Sequence, residues 1–147
     1  MIVGDICTRI VVTADPDETV VEAAKRMRDE HVGTLVVTDS QARPVGLLTD
    51  RDIVVGAVAQ SADKLDALLV HDIMSRELLT VRANIPVDEA LKKMRLRGVR
   101  RLPVLSADGR IEGILGLDDV LEVMSEELRT LVGLVAREQK HEREVRA

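Results

Sequence analysis

The sequence predicts an α+β fold built from two tandem copies of one small unit, each running strand, helix, strand, strand, helix. Three observations predict it. The chain repeats itself without a gap at an offset of 67 residues, from Val3 to Val70. Each copy changes from helical to strand periodicity at the same places. Each unit on its own would leave an apolar sheet face uncovered, and two packed together bury both faces.

The copies align from their first residues. Val3-Gly4-Asp5-Ile6-Cys7-Thr8-Arg9 matches Val70-His71-Asp72-Ile73-Met74-Ser75-Arg76. In the same register Thr13 falls on Thr80, Met27-Arg28 on Met94-Arg95, and Leu35 and Val37 on Leu102 and Val104. Gly46 falls on Gly113 and Asp52 on Asp119. Two copies of one supersecondary unit are the simplest cause.

Val20, Ala23, Ala24 and Met27 recur at i, i+3, i+4 and i+7, the stripe of an amphipathic helix, and Val87, Ala90, Leu91 and Met94 repeat it. Asp15, Asp17 and Glu18 crowd the start of the first helix, where its dipole favours anions. Pro86 suits the first turn of the second. Strands are expected at 34–38 and 102–105, then, after polar turns, at 45–49 and 111–116. A helix opens at Asp50 in one copy and at Leu117 in the other. Residues 59–69 read as a partly helical connector. The domain boundaries expected are 1–66 for the first repeat with its connector, 67–128 for the second, and 129–147 for a helical extension.

Composition narrows the function. The 147 residues are 46% hydrophobic and 32% charged, the mix of a folded globular chain. A net charge of −5 argues against nucleic acid, whose binding runs on phosphate neutralisation. Phe, Trp and Tyr are absent, so no aromatic ring can stack a base. Cys7 is the one cysteine, so an intrachain disulfide is ruled out and a reducing compartment is favoured. No apolar run reaches the roughly 18 residues of a membrane span, and the expected location is the cytoplasm. His31, His71 and His141 lie in no metal-ligand spacing, and no metal site is expected. No activated nucleophile or acid–base pair stands out, so no catalytic residue is assigned and the reading is of a binding module rather than an enzyme.

Two doubled motifs carry a family resemblance: Gly46-Leu47-Leu48-Thr49-Asp50-Arg51-Asp52-Ile53 and Gly113-Ile114-Leu115-Gly116-Leu117-Asp118-Asp119-Val120, with Arg101-Leu102-Pro103-Val104-Leu105 as a further signature. The chain resembles the CBS-domain pair, or Bateman module, over roughly residues 3 to 128. That resemblance implies two CBS repeats about a pseudo-twofold axis, with two clefts between them that take adenosine-containing ligands such as AMP, ATP, NAD or S-adenosylmethionine. It implies that the motif Asp holds the ribose hydroxyls, that the motif Ser/Thr faces phosphate, and that a basic residue ahead of the second strand reaches phosphate.

Residue chemistry fits those roles. A carboxylate only accepts hydrogen bonds, and a ribose diol offers two donors side by side. Thr49 stands where helix N–H groups point outward, a ready anion site. The same Thr49-x-x-Asp52 spacing is also that of a capping box, and both readings stand. The first cleft, named for Thr49 and Asp52, is expected to face Arg100 and Arg101 of the second repeat, two guanidiniums suited to an anionic tail or else a solvated surface pair or ion-pair partners for Asp or Glu. The second, named for Asp119, departs from the pattern. Gly116 replaces the hydroxyl residue, Asp118 adds a negative charge, and Gly33 and Thr34 stand in place of the arginines. It is expected to be the weaker cleft. Ile10, Val11, Val12, Leu35 and Leu48 are candidate apolar walls for an adenine.

Val120, Met124, Leu128, Leu131 and Val135 continue an apolar stripe beyond the point where the first repeat breaks up. Something must cover it, either its own module or a twofold partner, and the resemblance to a family whose members commonly dimerise makes a homodimer the expectation. The functional expectation is a ligand-sensing regulator that signals to a separate effector protein. The alternative is a ligand-free dimerisation or interaction module.

Overall fold

The computed structural model describes residues 1–146. The first repeat contains β1 (Thr13–Ala14), α2 (Val20–Glu30), β2 (Thr34–Thr38) and β3 (Pro44–Thr49), preceded by a short α1 (Val3–Ile6). After β3, α3 (Asp50–Asp52) runs on through a π-helical stretch, Ile53–Val58, into α4 (Ala59–Ser61) and a 3-10 segment, Ala62–Ala67. The second repeat has α5 (Val70–Ile73), β4 (Val81–Arg82), α6 (Val87–Arg97), β5 (Arg101–Leu105), β6 (Ile111–Gly116) and α7 (Leu117–Arg146).

Each repeat carries a three-stranded sheet, in order β1-β2-β3 and β4-β5-β6. The first two strands of each are parallel and the last two antiparallel, with Thr34 opposite Thr49 and Arg101 opposite Gly116. The helices form where the apolar stripe predicts, burying Val20, Ala23 and Met27 on α2 and Val87, Ala90 and Met94 on α6. Thr19 Oγ1 caps α2 by accepting from Glu22 N–H at 3.1 Å. Pro86 lies one residue before the first turn of α6, as its N-cap. Gly98, at φ 64°, ends α6 in the left-handed conformation that costs a glycine little. Leu35, Val36 and Val37 are fully buried, which an alternating strand buried on one face could not be. The central strand is therefore covered on both faces.

The N-terminal helices are exchanged between the repeats. Val3 N–H donates to Ile85 O at 2.9 Å and Gly4 N–H to Ala83 O at 2.8 Å, so α1 docks on the second repeat. The pseudo-twofold counterparts are Val70 N–H to Glu18 O, 2.9 Å, and His71 N–H to Pro16 O, 3.0 Å, docking α5 on the first. Thr8 bridges to Ile114 at the edge of β6, and Ser75 to Leu47 at the edge of β3. The two apolar cores follow suit. Val3 lies in one core with Val81, Met94 and Leu115, and Val70 and Met74 lie in the other with Met27, Leu35 and Leu48. Val3 and Val70 are fully buried, which stabilises by about 1.5–3 kcal/mol each.

This exchange explains the motif glycines. A Cβ on Gly46 would lie 2.8 Å from Ser75 O and from Met74 Sδ. On Gly113 it would lie 2.8 Å from Thr8 O and 2.9 Å from Cys7 Sγ. Each strand lacks a side chain where the other repeat's N-terminal segment passes.

Candidate functional site

The end of each antiparallel hairpin delivers the motif residues. In the first repeat the capping box closes completely: Asp52 N–H donates to Thr49 Oγ1 at 3.1 Å, and Thr49 N–H donates to Asp52 Oδ2 at 2.9 Å. Asp52 Oδ1 is left for a further donor. In the second repeat only half of it forms, Gly116 N–H donating to Asp119 Oδ2 at 2.9 Å, because Gly116 has no hydroxyl to return the bond. The preceding segments are tied in equally, Asp50 N–H to Gly33 O and Leu117 N–H to Arg100 O, both at 2.9 Å. Gly33 packs tightly against the residue it binds. A Cβ there would come within 2.9 Å of Asp50 Oδ2.

A cavity of about 250 Å³ lies between the repeats. Ile10, Val11, Val12, Val32 and Val36 of the first repeat and Ile114 of the second form its apolar wall, and Thr8, His31, Gly33, Thr34 and Arg101 its polar part. Thr34 and Arg101 are pseudo-twofold equivalents, so the cavity lies where the starts of β2 and β5 approach each other. A second cavity, about 190 Å³, is lined by Arg100, Arg101, Leu117 and Asp118. Arg101 thus borders both. Arg100 instead turns to the motif of its own repeat, its guanidinium 3.9 Å from Asp118, both side chains largely exposed. Such an exposed pair holds weakly and leaves the guanidinium available.

Of the residues singled out from sequence, the structure brings Arg101, Ile10, Val11 and Val12 to the first cavity together with Gly33 and Thr34. Thr49 sits one strand away, opposite Thr34, with Asp52 one turn into the helix. Leu35 and Leu48 are fully buried core residues. Asp119 lines neither cavity, and its neighbour Asp118 is in the wall of the second. Sequence reading did not single out Thr8 and Ile114, because they meet through the exchanged segment, which a repeat alignment does not show.

A larger open groove, about 590 Å³, shares Ile10, Val11 and Val12 with the first cavity and carries Asp15, Glu18, Glu30 and Asp39. Its guanidinium, Arg26, is held by Glu18 Oε2 at 2.7 Å and by Thr13 O at 3.0 Å. Four carboxylates around an already paired arginine make that groove hostile to phosphate.

Burial pushes the Cys7 thiol above its ordinary value, with Arg9 pulling the other way. It stays protonated at neutral pH and is a poor nucleophile. Among the described residues no cluster of three metal-ligating side chains occurs, and no helix is long and apolar enough to cross a membrane.

Two exchanged repeats, doubled strand–helix motifs and clefts between them define a tandem-repeat module, and comparison with known proteins gives the family. The CBS domain model matches residues 3–57 and 70–126, and the chain belongs to the CBS domain family as a pair of tandem CBS repeats. An uncharacterized protein of Methanopyrus kandleri is 38% identical over 121 residues, 82% of this chain, and this chain spans 61% of that protein's length. CBS domain-containing protein YhcV of Bacillus subtilis is 35% identical over 118 residues, 80% of this chain and 81% of its own. Among solved structures, the CBS domain pair of protein MJ0100, in complex with 5′-methylthioadenosine and S-adenosyl-L-methionine, superposes with a TM-score of 0.75 at 28% identity. That match covers 86% of this chain and 98% of the other.

Proposed function

We propose that this chain is a regulatory CBS pair that binds an adenosine-containing ligand between its repeats. It acts in the cytoplasm as a homodimer and passes its state to a separate effector protein. The observation that carries the reading is the inter-repeat cavity, an aliphatic wall of Ile10, Val11, Val12, Val32, Val36 and Ile114 with Arg101 at one side. In a chain without aromatic residues, a flat base has to be held by aliphatic side chains, and this wall is built of them. Asp52 Oδ1 would accept from the ribose hydroxyls, and Arg101, with Arg100 beside it, would meet an anionic or strongly polar tail. Asp119 would play the part of Asp52 in the weaker cleft. The adenosyl ligands of the MJ0100 pair support the ligand class.

A ligand of this kind touches both repeats. It shifts their relative arrangement only by as much as it binds one arrangement better than the other. The ligand-free interaction module is the second reading, favoured by the complete capping box, which gives Thr49 and Asp52 a structural task of their own.

The absence of Trp, Tyr and Phe makes the test direct, because adenine absorbs in the near ultraviolet where this protein is almost transparent. Untagged protein purified from cells is expected to carry an adenine-like band that leaves with the filtrate on denaturation and is identified by mass spectrometry. A clean spectrum, followed by titrations with AMP, ATP, NAD and S-adenosylmethionine that show no heat of binding, overturns ligand binding and leaves the interaction module.

A further inference from the structure

Helix α7 continues for 30 residues, and beyond Val120 none of its described residues is buried. Leu121, Met124, Leu128, Leu131 and Val135 recur at alternating spacings of three and four, the seam of a two-helix coiled coil. Their exposures run from 54% to 62%, so no part of this chain covers them. A continuous apolar row of this kind on a monomer marks a contact surface.

The charge along the helix says what covers it. The first turns hold Asp118, Asp119, Glu122, Glu126 and Glu127 with no Lys or Arg among them. Beyond Val135 the balance reverses, Arg137, Lys140, Arg143 and Arg146 outnumbering Glu138, Glu142 and Glu144. A parallel pair of such helices would set five carboxylates beside five. An antiparallel pair sets each acidic half beside a net basic one, the arrangement that charge complementarity favours. We propose that α7 pairs antiparallel with α7 of a second copy of this chain, Leu128 against the partner's Leu131 and Met124 against the partner's Val135. The pairing deepens the homodimer of the proposed function and rests on it.

The test uses full-length chains with Cys7→Ser as background. Met124→Cys and Val135→Cys are expected to give a disulfide-linked dimer when co-expressed and oxidised, and neither is expected to do so alone. In the antiparallel pair the two 124 positions lie about 16 Å apart at 1.5 Å rise per residue, beyond the reach of a disulfide. A linked dimer from Met124→Cys alone means a parallel pair and overturns the proposal. A dimeric mass with no crosslink in any sample also overturns it. Leu128 is 62% exposed, so Leu128→Glu should keep the fold by circular dichroism while raising the dimer dissociation constant at least ~30-fold. An unchanged dissociation constant overturns the α7 contact. If the unsubstituted chain is monomeric by light scattering, the homodimer and this pairing fail together while ligand binding stands. If it is dimeric without the crosslink, the pairing alone fails.

Discussion

At the strand–helix junction of the first repeat, Thr49 and Asp52 exchange two hydrogen bonds, and at the same junction of the second, Gly116 and Asp119 share one. Ahead of the neighbouring strand the asymmetry runs the other way. The first repeat offers Gly33 and Thr34, the second Arg100 and Arg101. Hydroxyl and cation thus stand in different repeats, and the cavity between them is bordered by Thr34 and Arg101, with Thr49 one strand away. The central strands differ as well. Val36 N–H donates to Val12 O at 3.2 Å, whereas the equivalent Pro103 has no N–H to offer. The helices that follow part company too: one breaks into π and 3-10 segments by Ala67, and the other runs on to Arg146. A duplicated frame has kept the sheets and the first helices of its halves and let the last helices and the chemistry of the strand–helix junctions diverge.

That comparison can be broken most forcefully through what the repeats share. Gly46→Ala and Gly113→Ala each push a methyl to 2.8 Å from a backbone oxygen of the exchanged segment, Ser75 O or Thr8 O. Each is expected to cost about 3 kcal/mol in a denaturant melt, the upper range for overpacking, because backbone yields less than a flexible side chain. Unequal costs would mean that one exchanged segment docks more loosely than the other.

The next effect sharpens the difference. With whichever of AMP, ATP, NAD or S-adenosylmethionine binds, Asp52→Ala is expected to weaken affinity by about tenfold or more by calorimetry, the loss of hydrogen bonds to a charged acceptor. Asp119→Ala is expected to change it less. Binding that survives Asp52→Ala and is lost in Asp119→Ala reverses the ranking of the clefts.

The smallest effect concerns the caps. Thr49→Ala is expected to lower stability by about 1 kcal/mol. Gly116→Ser should raise it by a few tenths of a kcal/mol, supplying the hydroxyl that the second junction lacks. A Cβ at 116 would lie 3.3 Å from Asp119 Oδ2 and 3.9 Å from Asp118 N, so the Asp119 carboxylate need give way by only a few tenths of an ångström. No gain in the thermal midpoint would show that hydrogen bonding is not what separates the junctions.

Periodicity made the repeat unit legible, because side chains at i, i+3, i+4 and i+7 must share a helix face whatever lies opposite. The strands at β2 and β6, the helix starts at Asp50 and Leu117, and the capping spacing of Thr49 and Asp52 are all local features of this kind. So is the apolar seam of α7. Local rules stop at what a segment prefers, however, and say nothing of which core receives it. Val3 and Val70 look alike in sequence, and each is buried in the other repeat's core. Their alignment makes them members of their own repeats, while the backbone bonds to Ile85 and Glu18 decide otherwise.

The sequence by itself thus determined the duplicated α+β unit, which follows from spacing and side-chain type, and it carries the motif residues on which the family resemblance rests. Only the tertiary structure decided the exchange of α1 and α5, the reason for Gly46 and Gly113, the turn of Arg100 toward Asp118, and the meeting of Thr8, Ile114 and Arg101 around one cavity. These are contacts between residues distant in the chain. They are fixed by which apolar faces cover one another, and no single segment carries that information.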